Sequence, residues 1–158
     1  MTSLPPPAWL PPPTSLLVDT SVLLKWFHAS GESEVDEARA LRDATQAGAI
    51  EARMLDLALY ETGNVLLRRL GWYGADVADQ LDDLVAICGA PLAMSTDWLR
   101  RAALLGADRR LTFYDACWAA AAASLGVVLV SADRELLGAG LAEPPGTVAR
   151  RLGLAPGC

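Results

Sequence analysis

The sequence predicts an α/β fold, a three-layer α/β/α sandwich around a mainly parallel sheet. Three observations carry this expectation. Residues 16–18 (LLV) and 127–130 (VVLV) are short, continuously apolar runs of the kind that a sheet buries on both faces. Segments with apolar residues at helical spacing alternate with such runs, the pattern of a parallel sheet covered by helices. Finally, 158 residues with 53% hydrophobic and 20% charged content fit one domain that can bury its own core, which excludes a disordered chain or a coiled coil.

Taken in order, six of the ten prolines fall within the first 13 residues, so residues 1–15 read as a flexible Pro-rich tail, a reading preferred to one in which Trp9 and Leu10 dock on a partner or on the body of the protein. The domain proper is expected over 16–152, and 153–158 as a short C-terminal tail. Strand 16–18 ends in Asp19 and runs directly into VLLKWF, with Ser21 available as a helix cap. Residues 32–48 place Val35, Ala38, Leu41 and Ala44 on one helical face and end at Gly48. A short strand is expected at 52–55. Asp56 then caps a helix that closes at Gly71, and residues 75–88 form another with an acidic face of Asp76, Asp79, Asp82 and Asp83. A strand at 91–94 and a helix at 96–109 follow. Thr112 starts the helix FYDACWAAAAASL, Gly126 ends it, VVLV is the next strand, and Ser131, Ala132 and Asp133 turn into a short helix RELL.

The formal charge of −6, from 13 basic and 19 acidic residues, argues against a protein that holds nucleic acid by general electrostatic attraction. It leaves room for a nuclease, because a metal site gathers carboxylates. Three cysteines without a CxxC spacing indicate neither a disulfide framework nor a thiolate zinc site, and a reducing, cytoplasmic compartment is expected. The N-terminus has no basic segment followed by an apolar one, so no secretory signal is expected. The uncharged stretch 116–132, divided by Ser124 and Gly126, is better explained as an Ala-rich helix and a strand than as a membrane span.

Function in such sheets collects beyond the C-terminal ends of the strands, which is where several carboxylates would converge. A carboxylate directly at a buried strand end is costly unless paired or metal-bound, so Asp19 reads as functional rather than as a cap. Asp115 lies three residues after Thr112, the spacing of a capping box, and Asp133 could be an N-cap; each alone is evenly balanced between structure and function. Glu61 lies within a helix, on a stripe with Leu57, Asn64 and Arg68 that sets it near apolar neighbours. Carboxylates so close raise one another's pKa unless a cation neutralises them, and Mg²⁺ or Mn²⁺ suits an all-oxygen site completed by water. The lone histidine, His28, argues against a His-rich zinc site or a Ser-His-Asp triad, and no catalytic duty is expected of it.

The strings LLVDTSVLLKWF, LYETGNVLLRRL and LTFYDACWAAAAASLGVVLVSADREL, in this order, resemble the PIN domain and, within it, the VapC toxins of bacterial toxin-antitoxin pairs, over roughly residues 16 to 152. The resemblance implies a five-stranded parallel sheet and a Mg²⁺- or Mn²⁺-dependent endoribonuclease. It implies an acidic quartet of Asp19, Glu61, Asp115 and Asp133, with Asp19 and Asp115 on the principal ion, and Ser21 and Ser131 as supporting hydroxyls. Asn64 matches the Asn that follows the family's helical Glu, and Gly63 stands where Ala is usual. An RNA substrate, a cognate antitoxin that blocks the active-site groove and a homodimer are implied as partners, with no membrane. Trp26, Phe27, Trp72, Tyr73 or Trp98 could serve such interfaces. Four adjacent Arg pairs (68 and 69, 100 and 101, 109 and 110, 150 and 151) could form an Arg rim, although Arg at helix C-termini also complements the helix dipole. Two other readings stand beside this one: a phosphotransfer domain with a strand-end Asp, against which Lys25, the only Lys, stands inside the first helix, and a catalytically silent protein-binding module.

Overall fold

The structure is a computed structural model that describes residues 11–154. Its order is β1 (Thr14–Val18), α1 (Thr20–Leu23) running into a 3-10 turn (Leu24–Trp26), α2 (Val35–Gln46), β2 (Ile50–Arg53), α3 (Leu57–Arg68), α4 (Gly74–Cys88), α5 (Thr96–Arg109), α6 (Phe113–Leu125), β3 (Val128–Val130), α7 (Arg134–Gly138) and α8 (Pro145–Arg151). The sheet is parallel with β1 in the centre, in the order β2-β1-β3; Leu16 is level with Ala52 on one side and Val128 on the other. Successive residues Leu16, Leu17 and Val18 are all buried, so both faces of the central strand are covered, as its unbroken apolar run required.

The sheet has three strands among the described residues, not five. Where further strands would extend it, a single parallel bridge forms on each edge, Leu55 with Leu92 and Val130 with Glu143. Leu92 exchanges hydrogen bonds with Met54 and Asp56, and Glu143 with Leu129 and Ser131. The next N–H of the Glu143 ladder would come from position 145, two residues on, which is Pro145 and has none. The strand expected at 91–94 is reduced to the single bridge at Leu92.

Other boundaries moved as well. β1 begins at Thr14, inside the stretch read as tail; residues 1–10, with Trp9 and Leu10, and 155–158 lie outside the described residues. Asp19, not Ser21, is the N-cap of α1, accepting from the Ser21 N–H, and the helix tightens to a 3-10 turn after Leu23. Asp56 occupies the N-cap of α3 without capping it, because its backbone is already helical. α8 was not anticipated: Pro144–Pro145 reads as a breaker, yet Pro at the first helical position suits the fixed φ. The uncharged stretch is α6 and β3, and among the described residues no helix is long and apolar enough to cross a membrane.

Trp26, considered for an interface, is 3% exposed and part of the core. Phe27 packs edge-on against Trp72, ring centroids 6.1 Å apart, and Tyr73 alone of the five candidates stands in water.

Candidate active site

The chain leaves β1 toward β2, continues to the bridge at Leu92, and then returns to the other side of β1 as β3. The crevice between β1 and β3 is therefore the point where the strand order reverses, and open α/β sheets leave room for a ligand there. Asp19 directly follows β1 and Ser131 directly follows β3; the Asp19 N–H donates to Val130 O at 3.1 Å, which locks the two strand ends together.

All four acids singled out from the sequence line one cavity of about 70 Å³, together with Thr20, Ser21 and Trp118. Asp19 Oδ1 accepts from the Ser21 N–H at 3.0 Å and from the Ser21 hydroxyl, and Oδ2 accepts from the buried Ser131 hydroxyl. Both serines are held in turn: the Ala132 N–H donates to Ser21 Oγ at 2.9 Å and the Asp133 N–H to Ser131 Oγ at 3.0 Å. The two serines thus fix the Asp19 carboxylate from opposite sides and couple the β1 end to the β3 end.

Asp133 does cap α7, its Oδ1 accepting from the N–H groups of Glu135 (2.9 Å) and Leu136 (3.1 Å). Only that one oxygen is so engaged, and the residue still lines the cavity. Asp115 resolves differently. Its N–H donates to Thr112 Oγ1 at 3.1 Å, half of a capping box, but its carboxylate does not reciprocate and is left to the cavity. Glu61 reaches the site from α3; burial leaves its Oε1 without a hydrogen-bond partner, as it leaves the neighbouring Thr20 Oγ1. Asn64, on the same stripe, is exposed and does not line the cavity.

The electrostatics reflect this crowding. Burial pushes the Asp19 carboxyl up to about 6, against the pull of the Ser131 and Ser21 hydroxyls. Burial also raises Glu61; the Trp118 indole and the Thr20 hydroxyl, near it although Thr20 Oγ1 completes no hydrogen bond, offset part of that, and the charges of Asp19 and Asp115 add to it. Asp115 is raised by burial and then by Asp133 and Glu135, with Thr112 opposing. Burial, followed by the Glu61 charge, raises the Cys117 thiol.

A divalent cation would relieve this repulsion, and an all-oxygen donor set with an orphaned carboxylate oxygen suits a hard one. Among the described residues no three carboxylate, imidazole or thiol groups converge closely enough to cage an ion alone. The fit is therefore to an ion held by one or two carboxylates and several waters, which is the habit of Mg²⁺.

Thr20 and Trp118 were not read from the sequence as site residues. Trp118 lies one helical turn beyond Asp115, a spacing that was available. His28 does not line the cavity. Lys25 is buried, its Nζ 2.7 Å from Glu32 Oε2 and donating to Ser33 O at 2.8 Å, so it is not free to hold a phosphate at Asp19 as a phosphotransfer site would need. A larger groove of about 500 Å³ is lined by Trp72, Tyr73, Asp76, Asp79 and Asp83, but it contains none of the hydrogen-bonded strand-end acids. The chemistry belongs to the smaller cavity.

Comparison with known proteins agrees with this fold. The PIN domain family model matches residues 16–140. Exonuclease VapC9 of Pyrobaculum aerophilum is 36% identical over 84 residues, which are 53% of this chain and 63% of that protein, so the chain spans less than two thirds of this curated relative's length. The crystal structure of PAE2754 from Pyrobaculum aerophilum is similar with a TM-score of 0.66 at 30% identity, covering 89% of this chain and 90% of the other. A toxin-antitoxin complex from Klebsiella pneumoniae holds a chain of similar fold, with a TM-score of 0.59 at 20% identity over 82% of this chain and 97% of that one.

Proposed function

The chain belongs to the PIN domain family, and from that premise we propose that it is a divalent-metal-dependent endoribonuclease, using Mg²⁺ or Mn²⁺, and the toxin of a toxin-antitoxin pair. The observation that carries this reading is the convergence of Asp19, Glu61, Asp115 and Asp133 on one cavity at the reversal point of the sheet, with Glu61 Oε1 unpartnered. In this role Asp19 and Asp115 hold the principal ion, and Glu61 and Asp133 hold it directly or through water. The bound ion supplies charge relief for the phosphoryl oxygens and a water of lowered pKa. Ser21 and Ser131 keep the Asp19 carboxylate aimed at the ion through the bonds described above. Burial raises the proton affinity of Glu61, so in its ionised form it is suited to take a proton from the attacking water at Oε1, which has no hydrogen-bond partner.

The partners follow the same reading: RNA, an antitoxin that covers the cavity, and a second copy of the chain. Tyr60 and Leu67 support the subunit contact, because they stand two turns apart on one face of α3 at 70% and 49% exposure.

Circular RNA tests the activity, since it has no ends and opens only by internal cleavage. Full-length protein is expected to linearise it with Mg²⁺ or Mn²⁺, and not with EDTA or after Asp115→Asn. Degradation of linear RNA alone would assign an exonuclease instead; inertness on both substrates would sink the reading.

A further inference from the structure

We infer that Thr20 is a positioning residue of the cleavage reaction: its hydroxyl and Glu61 Oε1 together seat the water that attacks the phosphodiester. This rests on the nuclease reading above and deepens it, because it names the side chain that aims the nucleophile.

Thr20 is the first residue of α1, directly after Asp19, and is 5% exposed. A hydroxyl buried to that degree ordinarily has a partner, and one without a partner costs stability. Thr20 Oγ1 has none. The adjacent carboxylate is already served by other groups: Asp19 Oδ1 accepts from the N–H and the hydroxyl of Ser21, and Oδ2 accepts from the hydroxyl of Ser131. α1 packs on α3, which supplies Glu61, and Glu61 Oε1 is likewise buried and unpartnered. Both residues line the carboxylate cavity. The Thr20 hydroxyl is near enough to act on the Glu61 carboxylate, yet it completes no hydrogen bond to it.

Other buried hydroxyls without partners among the described residues, Thr62 Oγ1 and Ser124 Oγ, do not line the cavity. At Thr20 and Glu61, a hydroxyl that can donate or accept and an oxygen that accepts border one space, which is what an ordered water requires. The cavity of about 70 Å³ has room for it, since a water occupies roughly 30 Å³. Such a water gives one hydrogen to Glu61 Oε1 and accepts the hydrogen of Thr20, which leaves a lone pair to face phosphorus. On attack the hydrogen held by Glu61 passes to it as a proton and the water oxygen bonds to phosphorus. The bond from phosphorus to the leaving oxygen breaks, and that oxygen takes a proton from solvent. A second anchor beside the base fixes the direction of attack, and a nucleophile held by the base alone loses that direction.

Two substitutions separate this role from packing, because Val keeps the shape of Thr without the hydroxyl and Ser keeps the hydroxyl without the methyl. In full-length protein with Mn²⁺, Thr20→Val should lower kcat on the order of 10- to 100-fold, with KM for RNA, Kd for Mn²⁺ and Tm close to those of the wild type. Thr20→Ser should recover most of that rate, although loss of a buried methyl lowers its Tm by roughly 2–4 °C. A crystal structure of the metal-free protein should show one water within hydrogen-bond distance of both Thr20 Oγ1 and Glu61 Oε1, kept in Thr20→Ser and lost in Thr20→Val. A direct hydrogen bond between Thr20 and Glu61 in place of that water, or undiminished kcat in Thr20→Val, would overturn the inference. So would a loss of Mn²⁺ affinity in Thr20→Val that matches its loss of rate, which would assign the hydroxyl to the ion. A wild type that cleaves no RNA overturns the nuclease reading; the water seat is then decided by the crystal structures alone and falls unless the water is present and follows the hydroxyl.

Discussion

Asp19→Asn is expected to lower metal-stimulated RNA cleavage by on the order of 10³-fold or more and, in the same protein freed of metal, to raise stability at pH 8. Both effects come from one property of the site. The Asp19 carboxyl is 4% exposed and sits directly at a strand end, where water that would solvate its charge is excluded. Two serine hydroxyls and a backbone N–H compensate part of that loss, but the balance still lies with burial, which lifts the pKa from 3.8 to about 6. At about 1.4 kcal/mol per unit, ionising Asp19 in the folded, metal-free protein costs up to about 3 kcal/mol.

The sign of the pH dependence follows. A carboxyl whose folded pKa is raised binds its proton more tightly folded than unfolded, so stability falls as pH rises from about 4 through about 6. Above about pH 7 the full cost is present. Asn carries no charge, so the Asn variant should match the wild type near pH 4 and exceed it at pH 8 by about 2 to 3 kcal/mol in urea denaturation with EDTA. A divalent ion prefers the ionised carboxylate; affinity of the wild type for Mg²⁺ or Mn²⁺ should therefore climb over the same window and level off above it. Equal stabilities at pH 8 in EDTA, combined with retained cleavage, would show that Asp19 is neither strained nor catalytic.

The readable parts of this chain were those where chemistry and local structure coincide. Asp19 could be placed at a strand end because it sits where an apolar strand stops, and the strand runs 16–18 and 127–130 are too short and too apolar to be anything exposed; Asp133, three residues past the second run, stayed open between cap and site. Asp115 was ambiguous for a physical reason: a capping Thr needs only a backbone N–H from the third residue, so the spacing does not reveal where the carboxylate points. The sheet edges were misjudged because each outer strand is cut to a single bridge, on the β3 side where Pro145 has no N–H for the next ladder position. α8 was hidden by the same residue type acting in the opposite sense, as a helix starter. Lys25 and Trp26 lie in a run that is buried on nearly all sides, so periodicity could not tell which of them faced the core; the ion pair with Glu32 that makes a buried Lys tolerable is set by the loop, not by the helix. Trp118 was lost for the same reason. A helix buried all round has no stripe to read.

That helix supplies the second large effect. Trp118 is 2% exposed and is the largest fully buried side chain among the described residues, and it also forms one wall of the carboxylate cavity. Trp118→Ala leaves a void among alanines that cannot collapse onto it, and should cost about 3–5 kcal/mol, a large share of the roughly 5–15 kcal/mol that holds a domain folded. The expected drop in Tm is on the order of 10 °C. Trp118→Phe separates packing from chemistry. The ring remains, so the loss of stability should be well under half of that for Ala, but the indole N–H that helps to hold the Glu61 carboxyl down is gone. Glu61 then rises further, because burial and the charges of Asp19 and Asp115 act without that opposition. Its ionised form becomes available only at higher pH, so the half-maximal pH for metal-stimulated cleavage should move upward in Trp118→Phe, with the plateau at high pH close to that of the wild type. A pH profile that keeps its midpoint while the whole curve drops would assign Trp118 to packing alone.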